Sequence, residues 1–267
     1  MTIIENYLGD INYLTPSTLD RDGRPTVFLV HGAGGYADAW ASILEKFTSV
    51  VPIAIDIPGH GKSGGQLPTT ALEGAEILEA FRRDLEVDSV YVVGHSLGGA
   101  IAQHYAHRHP EHCKGAILSN TSSYFGSDIL PPGRKEQLAK FENDWPSAIE
   151  FFSAGQVSPR ASARALAAAR DMVGKRRHEV MSHDVTVVGS FDSRDWVGSI
   201  TPPCLILTAY EDMLTPFDWS RDLYDRIEHS QLAVVSPGGH SPFLEHPLRY
   251  VAAIESFIAE VEAGGSG

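Results

Sequence analysis

The residues best suited to covalent chemistry lie in a Gly-x-Ser-x-Gly motif at positions 94–98, with Ser96 at its centre. The motif follows a short apolar run and precedes a pattern of helical period, which indicates a strand, a sharp turn and a helix. The glycines permit a turn too sharp for larger side chains, and the turn raises the serine hydroxyl above the sheet. The amino end of the helix also favours negative charge there. Although a plain glycine-rich turn would fit the five residues alone, this context predicts that Ser96 is a nucleophile.

A serine hydroxyl is a weak nucleophile near neutral pH, so it needs a base and a carboxylate that orients the base. His240 and Asp212 each follow a short apolar run, and His240 lies in a glycine-rich loop. The chain order Ser96, Asp212, His240 is the order expected for one class of hydrolase. We predict these three residues as catalytic. Glu211 and Asp218 remain alternatives to Asp212. For any of these loop carboxylates, the simpler interpretation is that it is solvated or caps a helix.

Acyl transfer develops an oxyanion, and each backbone N–H group aimed at it supplies on the order of 3 kcal/mol. One such group would be that of Leu97, which follows the nucleophile. The other would come from the glycine-rich segment 31–35, from Ala33 first and Gly34 second. Residues near these motifs or in the central helical segment are candidates for substrate binding: Gly34, His95, Trp145, Phe152 and Met213. For the aromatic candidates, packing of the central segment onto the core is the favoured interpretation.

Short apolar runs bounded by Gly, Pro or Asp recur along the chain and predict the elements that position these residues. They fall at 26–30, 53–55, 90–93, 116–118, 205–207 and 232–235. Continuous apolarity is typical of strands covered on both faces, as in a parallel sheet. Helical patterns alternate with them at about 38–47, 69–85, 97–108, 217–228 and 247–262. We therefore predict an α/β fold with a doubly wound, mostly parallel sheet.

The alternation breaks between 122 and 195, where helical patterns appear without a convincing strand. An insertion at this point can cover the carboxyl ends of the strands, where parallel sheets bind ligands. We predict a core formed by 1–121 and 196–263 and a helical lid at 122–195. Residues 264–267, Gly-Gly-Ser-Gly, have the composition of a flexible linker or cloning remnant outside the fold.

The composition of the chain indicates which kinds of partner and which cellular compartment to expect. The chain has 267 residues, of which 43% are hydrophobic, and a formal net charge of −13. Such acidity disfavours binding to nucleic acid or anionic membranes. No stretch approaches the roughly 18 apolar residues of a membrane helix, and two distant cysteines suit a reducing compartment. We predict a cytoplasmic protein whose partner is a small molecule, and the oligomeric state stays open.

Five segments together resemble the α/β-hydrolase superfamily, its serine-nucleophile branch. They are the glycine-rich segment 31–35, the segment 56–63, the motif around Ser96, the segment 212–216 and the region from His240 to Pro247. The resemblance implies an α/β-hydrolase fold, a triad of Ser96, Asp212 and His240, and neither a metal nor an organic cofactor. Relatives with an aspartate nucleophile are disfavoured because Ser96 occupies that position.

Charge in the lid segment bears on the substrate. Positions 134–177 contain nine Lys or Arg and five Asp or Glu, which could favour anionic acyl groups. Over 122–195 the count is ten against ten, so a solvated helix surface is the favoured interpretation of these charges. His104, His107, His109 and His112 crowd another region, where a solvated helix end is a simpler explanation than a metal site.

These observations predict a serine hydrolase that cleaves a small carboxylic ester or lactone through an acyl-enzyme. Two alternatives remain open. One is hydrolysis of a carbon–carbon bond in a ring-cleavage diketo acid, which similar enzymes perform with the same three side chains. The other is a ligand receptor on a hydrolase scaffold, in which binding rather than turnover matters.

Overall fold

The computed structural model describes residues 3–16, 23–126, 139 and 143–264. Eight strands form one sheet, in the order β1-β2-β4-β3-β5-β6-β7-β8. They are β1 Ile3–Leu8, β2 Ile11–Pro16, β3 Thr26–Val30, β4 Val51–Ile55, β5 Val90–His95, β6 Cys113–Ser119, β7 Cys204–Thr208 and β8 Ser230–Val234. Strands β3 to β8 are parallel, and β1 and β2 are antiparallel additions at one edge. The predicted fold class is confirmed, and each of the six apolar runs lies in or overlaps a strand.

Nine α-helices occur within the described residues. They are α1 Ala41–Leu44, α2 Ala71–Asp84, α3 Leu97–Arg108, α4 Trp145–Gln156, α5 Ala163–Gly174, α6 His178–Ser190, α7 Phe217–Arg226, α8 Pro242–Glu245 and α9 Pro247–Gly264. Two short 3-10 helices precede α1 and β7, at Ala37–Trp40 and Val197–Ser199. The predicted helix at 38–47 is thus a 3-10 turn that runs into the single turn of α1.

The core lies in two layers, one on each face of the sheet. Because side chains alternate along a strand, Phe28 and Val30 of β3 pack on one face, whereas Val27 and Leu29 pack on the other. The first layer lies against α2, α3 and α7, and the second against α1 and α9. Coverage on both faces explains why β3 to β7 contain continuous apolar runs.

The β1–β2 hairpin is absent from the strand predictions. Strand β1 is an edge strand with partly exposed and exposed side chains, so it lacks the continuous apolarity of the parallel strands. Its turn holds Gly9 at a φ of 57°, in the left-handed region that favours glycine. This Gly9-Asp10 turn between two β-prone runs was the available sequence signal.

Helices α4, α5 and α6 lie between β6 and β7, in the segment 122–195 that we propose as the lid. Side-chain caps define where two of them begin, because Asp144 accepts from the Ser147 amide and Ser162 from the Ala165 amide. At the other end of the chain, Gly264 is the last residue of α9, so the helix includes one residue of the predicted linker. Positions 265–267 lie outside the described residues.

Two general properties complete the fold. Within the described part of the chain, no helix combines the length and apolarity needed to cross a membrane. Cys113 and Cys204 are both free and buried, and burial raises the pKa of each thiol. Neither cysteine is poised for thiolate chemistry, because a buried thiol with a raised pKa stays protonated near neutral pH.

Candidate active site

Ser96 occupies the sharp turn between β5 and α3. Its backbone has φ 55° and ψ −116°, a strained conformation for a residue with a side chain. A Cβ atom placed on Gly94 would lie 2.0 Å from the Gly98 carbonyl oxygen, and one on Gly98 would lie 2.3 Å from that of Val30. Only glycine therefore fits at either position, as the motif predicts. The turn presents Ser96 at the carboxyl edge of the sheet, at the amino end of α3.

His240 reaches the same edge from the loop after β8. Its Nδ1 lies 2.9 Å from Oδ2 of Asp212, which follows β7, and both residues are at least 95% buried. An ionised carboxylate only accepts hydrogen bonds, so Nδ1 of His240 carries the proton. The other ring nitrogen, Nε2, is then free to accept a proton from a hydroxyl group.

Asp212 is held by a dense set of donors. Its Oδ1 accepts from the backbone amides of Leu214 and Thr215, each at 2.8 Å. Its Oδ2 also accepts from Nδ2 of Asn120 at 2.9 Å and lies 2.6 Å from the Thr215 hydroxyl. Burial alone would raise the pKa of Asp212, but the charge of His240 and these hydrogen bonds outweigh it and lower the pKa. The carboxylate is therefore ionised and fixed in orientation.

His95 supports the position of His240. Its Nε2 donates to the His240 carbonyl oxygen at 2.8 Å, and the two ring centroids are 4.6 Å apart. Burial, followed by the proximity of His240, lowers the pKa of His95 well below its usual value. A neutral His95 can keep this hydrogen bond without adding charge beside the base.

The loop after β3 borders the same site. Gly32 and Ala33 line the cavity beside Ser96, and Leu97 is the first residue of α3. The Gly34 amide donates to Oδ2 of Asp184 at 2.7 Å, so this N–H group is engaged by helix α6. Ala33 therefore stays the first choice for the second oxyanion donor.

Asp184 connects α6 to two loops of the core. Besides the Gly34 amide, its Oδ2 accepts from Nε2 of His60 at 2.8 Å, and both side chains are 2% exposed. The ring of His60 also packs on that of His31, with centroids 4.8 Å apart. The loop that carries the proposed oxyanion donor is thus held by the lid segment as well as by the sheet.

A cavity of about 340 Å³ opens over these groups. Its walls are mostly apolar, and its polar lining includes the Ser96 and His240 side chains. The described lining residues are Gly32, Ala33, His95, Ser96, Phe125, Phe152, Gln156, Arg176, Met181, Val185, Val188, Gly189, Leu214, Thr215, Trp219 and His240. This size and composition suit a small organic ligand.

Five substrate-binding residues were predicted, and the structure brings two of them, His95 and Phe152, into this cavity. Gly34 lies instead in a second, outer pocket with Lys175 and Arg177. Trp145 packs on the ring of His178 inside the lid, with centroids 4.8 Å apart, and Met213 is 50% exposed. The last two positions depend on lid and loop packing, which the sequence pattern does not define.

The rival carboxylates have other partners. Glu211 pairs with Arg160 and with the Ser158 hydroxyl, and Asp218 is an exposed residue in the first turn of α7. Asp212 is the carboxylate that contacts His240.

Several residues at the site carry no motif of their own. Asn120 and Thr215 hold Asp212, and Gln156 at the end of α4 bonds the residue after His240, with its carbonyl oxygen 2.7 Å from the Ser241 amide. Asn120 directly follows β6, so its place at a strand end was a usable signal. Gln156 and Arg176 lie in the lid segment, where strand ends give no guide.

The histidines of the histidine-rich region contact other side chains of the fold. His104 and His107 stack on Trp196 at centroid distances of 4.7 and 4.8 Å, and His109 lies 3.3 Å from Glu76. Across the ranges that the structure describes, no three His, Cys, Asp or Glu residues are grouped as metal ligands.

Comparison with known proteins identifies the family to which this fold belongs. A family model described as alpha/beta hydrolase fold matches residues 25–247. The chain therefore belongs to the α/β hydrolase fold family, as the resemblance in its motifs implies.

Individual relatives carry more specific names. A pimeloyl-[acyl-carrier protein] methyl ester esterase of Chromobacterium violaceum is 29% identical over 249 residues, 88% of this chain and 94% of the relative. The corresponding protein of Yersinia enterocolitica is 27% identical, over 90% and 95%. A solved thermophilic esterase superposes with a TM-score of 0.80 at 25% identity, over 97% of this chain and 98% of that one. An N-acyl homoserine lactone degrading enzyme superposes with 0.77 at 23%, over 95% and 100%.

Proposed function

We propose that the protein is a serine hydrolase that cleaves a small carboxylic ester or lactone through an acyl-enzyme. The observation that carries the proposal is the convergence of a strained Ser96 and the buried His240–Asp212 pair on one cavity. Esterase names among the relatives support the same class of reaction. The proposal needs no bound cofactor.

In the first half of the reaction, the Ser96 hydroxyl oxygen attacks the substrate carbonyl carbon while Nε2 of His240 takes the hydroxyl proton. Asp212 stabilises the resulting imidazolium and keeps its ring in place. The carbonyl oxygen becomes an oxyanion, which the Leu97 and Ala33 amides would hold. Collapse of this intermediate breaks the bond to the leaving alcohol, which receives the proton from His240.

In the second half, water replaces the alcohol. His240 removes a proton from the water, whose oxygen attacks the acyl carbon, and the bond to Ser96 breaks. The proton then returns to the serine, and the carboxylic acid leaves. For a lactone, the alcohol and the acid are two ends of one product. The account requires Nε2 of His240 to reach both Ser96 and the attacking water.

A substrate panel tests this proposal. Purified protein and its Ser96→Ala variant would be assayed against p-nitrophenyl esters of two to eight carbons, aliphatic lactones and a vinylogous diketo acid. We expect turnover of an ester or lactone by the wild type and loss of about 10,000-fold or more in kcat in the variant.

The same panel separates the alternatives. Turnover of the diketo acid alone would replace the ester with a carbon–carbon bond as the scissile group. Failure of all three classes, together with failure of a fluorophosphonate to label Ser96, would favour a ligand receptor.

A further inference from the structure

Arg176 differs from the other lysine and arginine residues in the described part of the lid segment, because it alone among them is not exposed. It lies in the turn between α5 and α6, and it borders both the cavity that contains Ser96 and His240 and the outer pocket that contains Gly34. The guanidinium is partly buried, and its Nε atom is fully buried without a hydrogen-bond acceptor. A buried donor without an acceptor costs free energy, so such a donor in a native site needs an explanation.

Its two neighbours in sequence show what a solvated basic side chain looks like here. Lys175 is exposed and pairs with Asp171 at 2.6 Å, and Arg177 is exposed and lies 3.9 Å from Glu179. Arg176 has no carboxylate oxygen within 4.0 Å among the described residues. Its recorded contact is Nη1 to the Met181 sulfur at 4.0 Å, which is a weak acceptor.

The guanidinium nevertheless keeps its charge. Burial lowers the pKa of Arg176 to about 10, and the attraction of Tyr36 and Asp184 offsets only part of that effect. A group with this pKa is protonated at neutral pH. The cavity therefore holds a permanent cation, and none of its described lining residues is Asp or Glu.

Arg176 is thus a cation with no carboxylate in contact, beside a proposed nucleophile, and a substrate could supply the missing contact. We infer that Arg176 binds an anionic substituent of the substrate, so that the site takes esters or lactones that carry an ionised carboxylate. The carboxylate accepts from the guanidinium, including the orphaned Nε–H, and supplies the missing charge. The ester part of this statement rests on the proposed function, and the anion part rests on Arg176 itself.

Matched substrates that differ in one charge test the inference. The methyl hemiester of adipic acid would be compared with the methyl ester of its monoamide, so that the charge lies in the acyl half. Carboxymethyl butanoate would be compared with carbamoylmethyl butanoate, so that the charge lies in the alcohol half. Proton release measures kcat and KM for each.

We expect the wild type to favour the carboxylate of at least one pair by about 10-fold or more in kcat/KM. In Arg176→Met most of this preference, about 10-fold or more, should be lost, chiefly through KM, because a charge-assisted contact is removed. Arg176→Lys should retain part of it. Lys175→Met removes an adjacent charge outside the cavity and should keep the wild-type ratio.

Two results would overturn the inference. One is a wild type that does not distinguish carboxylate from carboxamide in either pair. The other is an equal loss of the carboxylate preference in Arg176→Met and Lys175→Met, which would indicate that any positive charge in this region has the same effect. If Arg176→Met fails to fold, the wild-type ratio and Arg176→Lys still decide the matter.

A binding measurement separates this inference from the proposed function. Calorimetry on Ser96→Ala would measure the affinity of the intact hemiesters, and the double variant Ser96→Ala/Arg176→Met is its control. Weaker binding of a hemiester in the double variant would support the anion site even if the wild type hydrolysed nothing. Hydrolysis without any preference for charge would support the enzyme and contradict the anion site.

Discussion

At the scale of single residues, the site depends on orientation more than on unusual residue types. Asp212 receives hydrogen bonds on both oxygens, and the imidazole of His240 lies against it with Nδ1 occupied. His95 then fixes the backbone of His240. The hydrogen bonds therefore fix the orientation of Asp212 and His240, the proposed orienting residue and base.

Replacing Asp212 with asparagine tests this dependence. The amide cannot stabilise an imidazolium as a carboxylate does and favours the wrong tautomer of His240, so we expect kcat to fall about 1,000- to 10,000-fold. Asp218→Asn, an exposed carboxylate six positions later, should remain near wild type. Comparable losses in the two variants, measured on one ester, would contradict the role of Asp212.

Local sequence patterns mark some residues of the candidate site and not others, for a physical reason. Ser96, Asp212 and His240 follow strands or lie among glycines, so local patterns mark them. Arg176 lies between two lid helices and Asp184 lies in one of them, and how these helices approach the core depends on packing between distant segments, which no short motif defines. The charge count over the lid segment could not distinguish a partly buried arginine from its solvated neighbours.

At the scale of elements, the lid segment contributes structure to the catalytic loops. Asp184 of α6 binds the Gly34 amide, Gln156 of α4 binds Ser241, and the Tyr36 hydroxyl donates to the Met172 carbonyl oxygen of α5 at 2.9 Å. Each contact joins a different lid helix to the core, two of them at the glycine-rich loop after β3. The segment that we propose as the lid therefore supports the loops of the candidate site as well as lining its cavity.

Asp184→Ala should separate that support from simple coverage. The change leaves the Gly34 N–H and the Nε2 of His60 without a buried acceptor, so we expect a loss of about 1–3 kcal/mol in the free energy of unfolding. A lower kcat should accompany it, because the loop beside Ala33 loosens. Urea unfolding and ester turnover measure the two effects.

Glu179→Ala on the same helix is the control, since its side chain is 71% exposed. It should change stability by no more than about 0.5 kcal/mol. If the two variants were equally stable and equally active, the contact from Asp184 would have no supporting role.

At the scale of the whole molecule, the strand ends define the site and the two-layered core makes it rigid. The edge hairpin β1–β2 was missed because its exposed strand lacks an apolar run. The parallel strands were predicted, and the loops of the candidate site follow these strands.

The burial that stabilises the core also removes ionisable groups from water. His31 is 2% exposed, and burial, with the charge of nearby His60, lowers its pKa to about 3.

Lowering the pH should therefore destabilise the protein already at pH values above those at which carboxylates titrate. Unfolded chains take up a proton on His31 near pH 6.5, whereas the folded protein does so only near pH 3. The contribution of neutral His31 to the free energy of unfolding is consequently fully present above pH 6.5. It decreases as the pH falls toward 3, by up to about 1.4 kcal/mol per pH unit. Urea midpoints across this range should show a shallower slope in His31→Asn.

His229→Asn, which changes an exposed histidine, serves as the comparison. A reduction in slope as large as that of His31→Asn would show that His31 is not the source. Buried His95 also has a lowered pKa, so the slope should fall in His31→Asn without reaching zero.

The central claim is that Ser96 forms the covalent intermediate and His240 activates it. Mass spectrometry of the protein treated with a fluorophosphonate tests this directly, because the reagent forms a stable adduct with an activated serine. We expect one adduct per chain, located on the peptide that contains Ser96, with slower labelling in His240→Ala and none in Ser96→Ala. Equal labelling of Ser96→Ala, or an adduct on another residue of the wild type, would contradict the account.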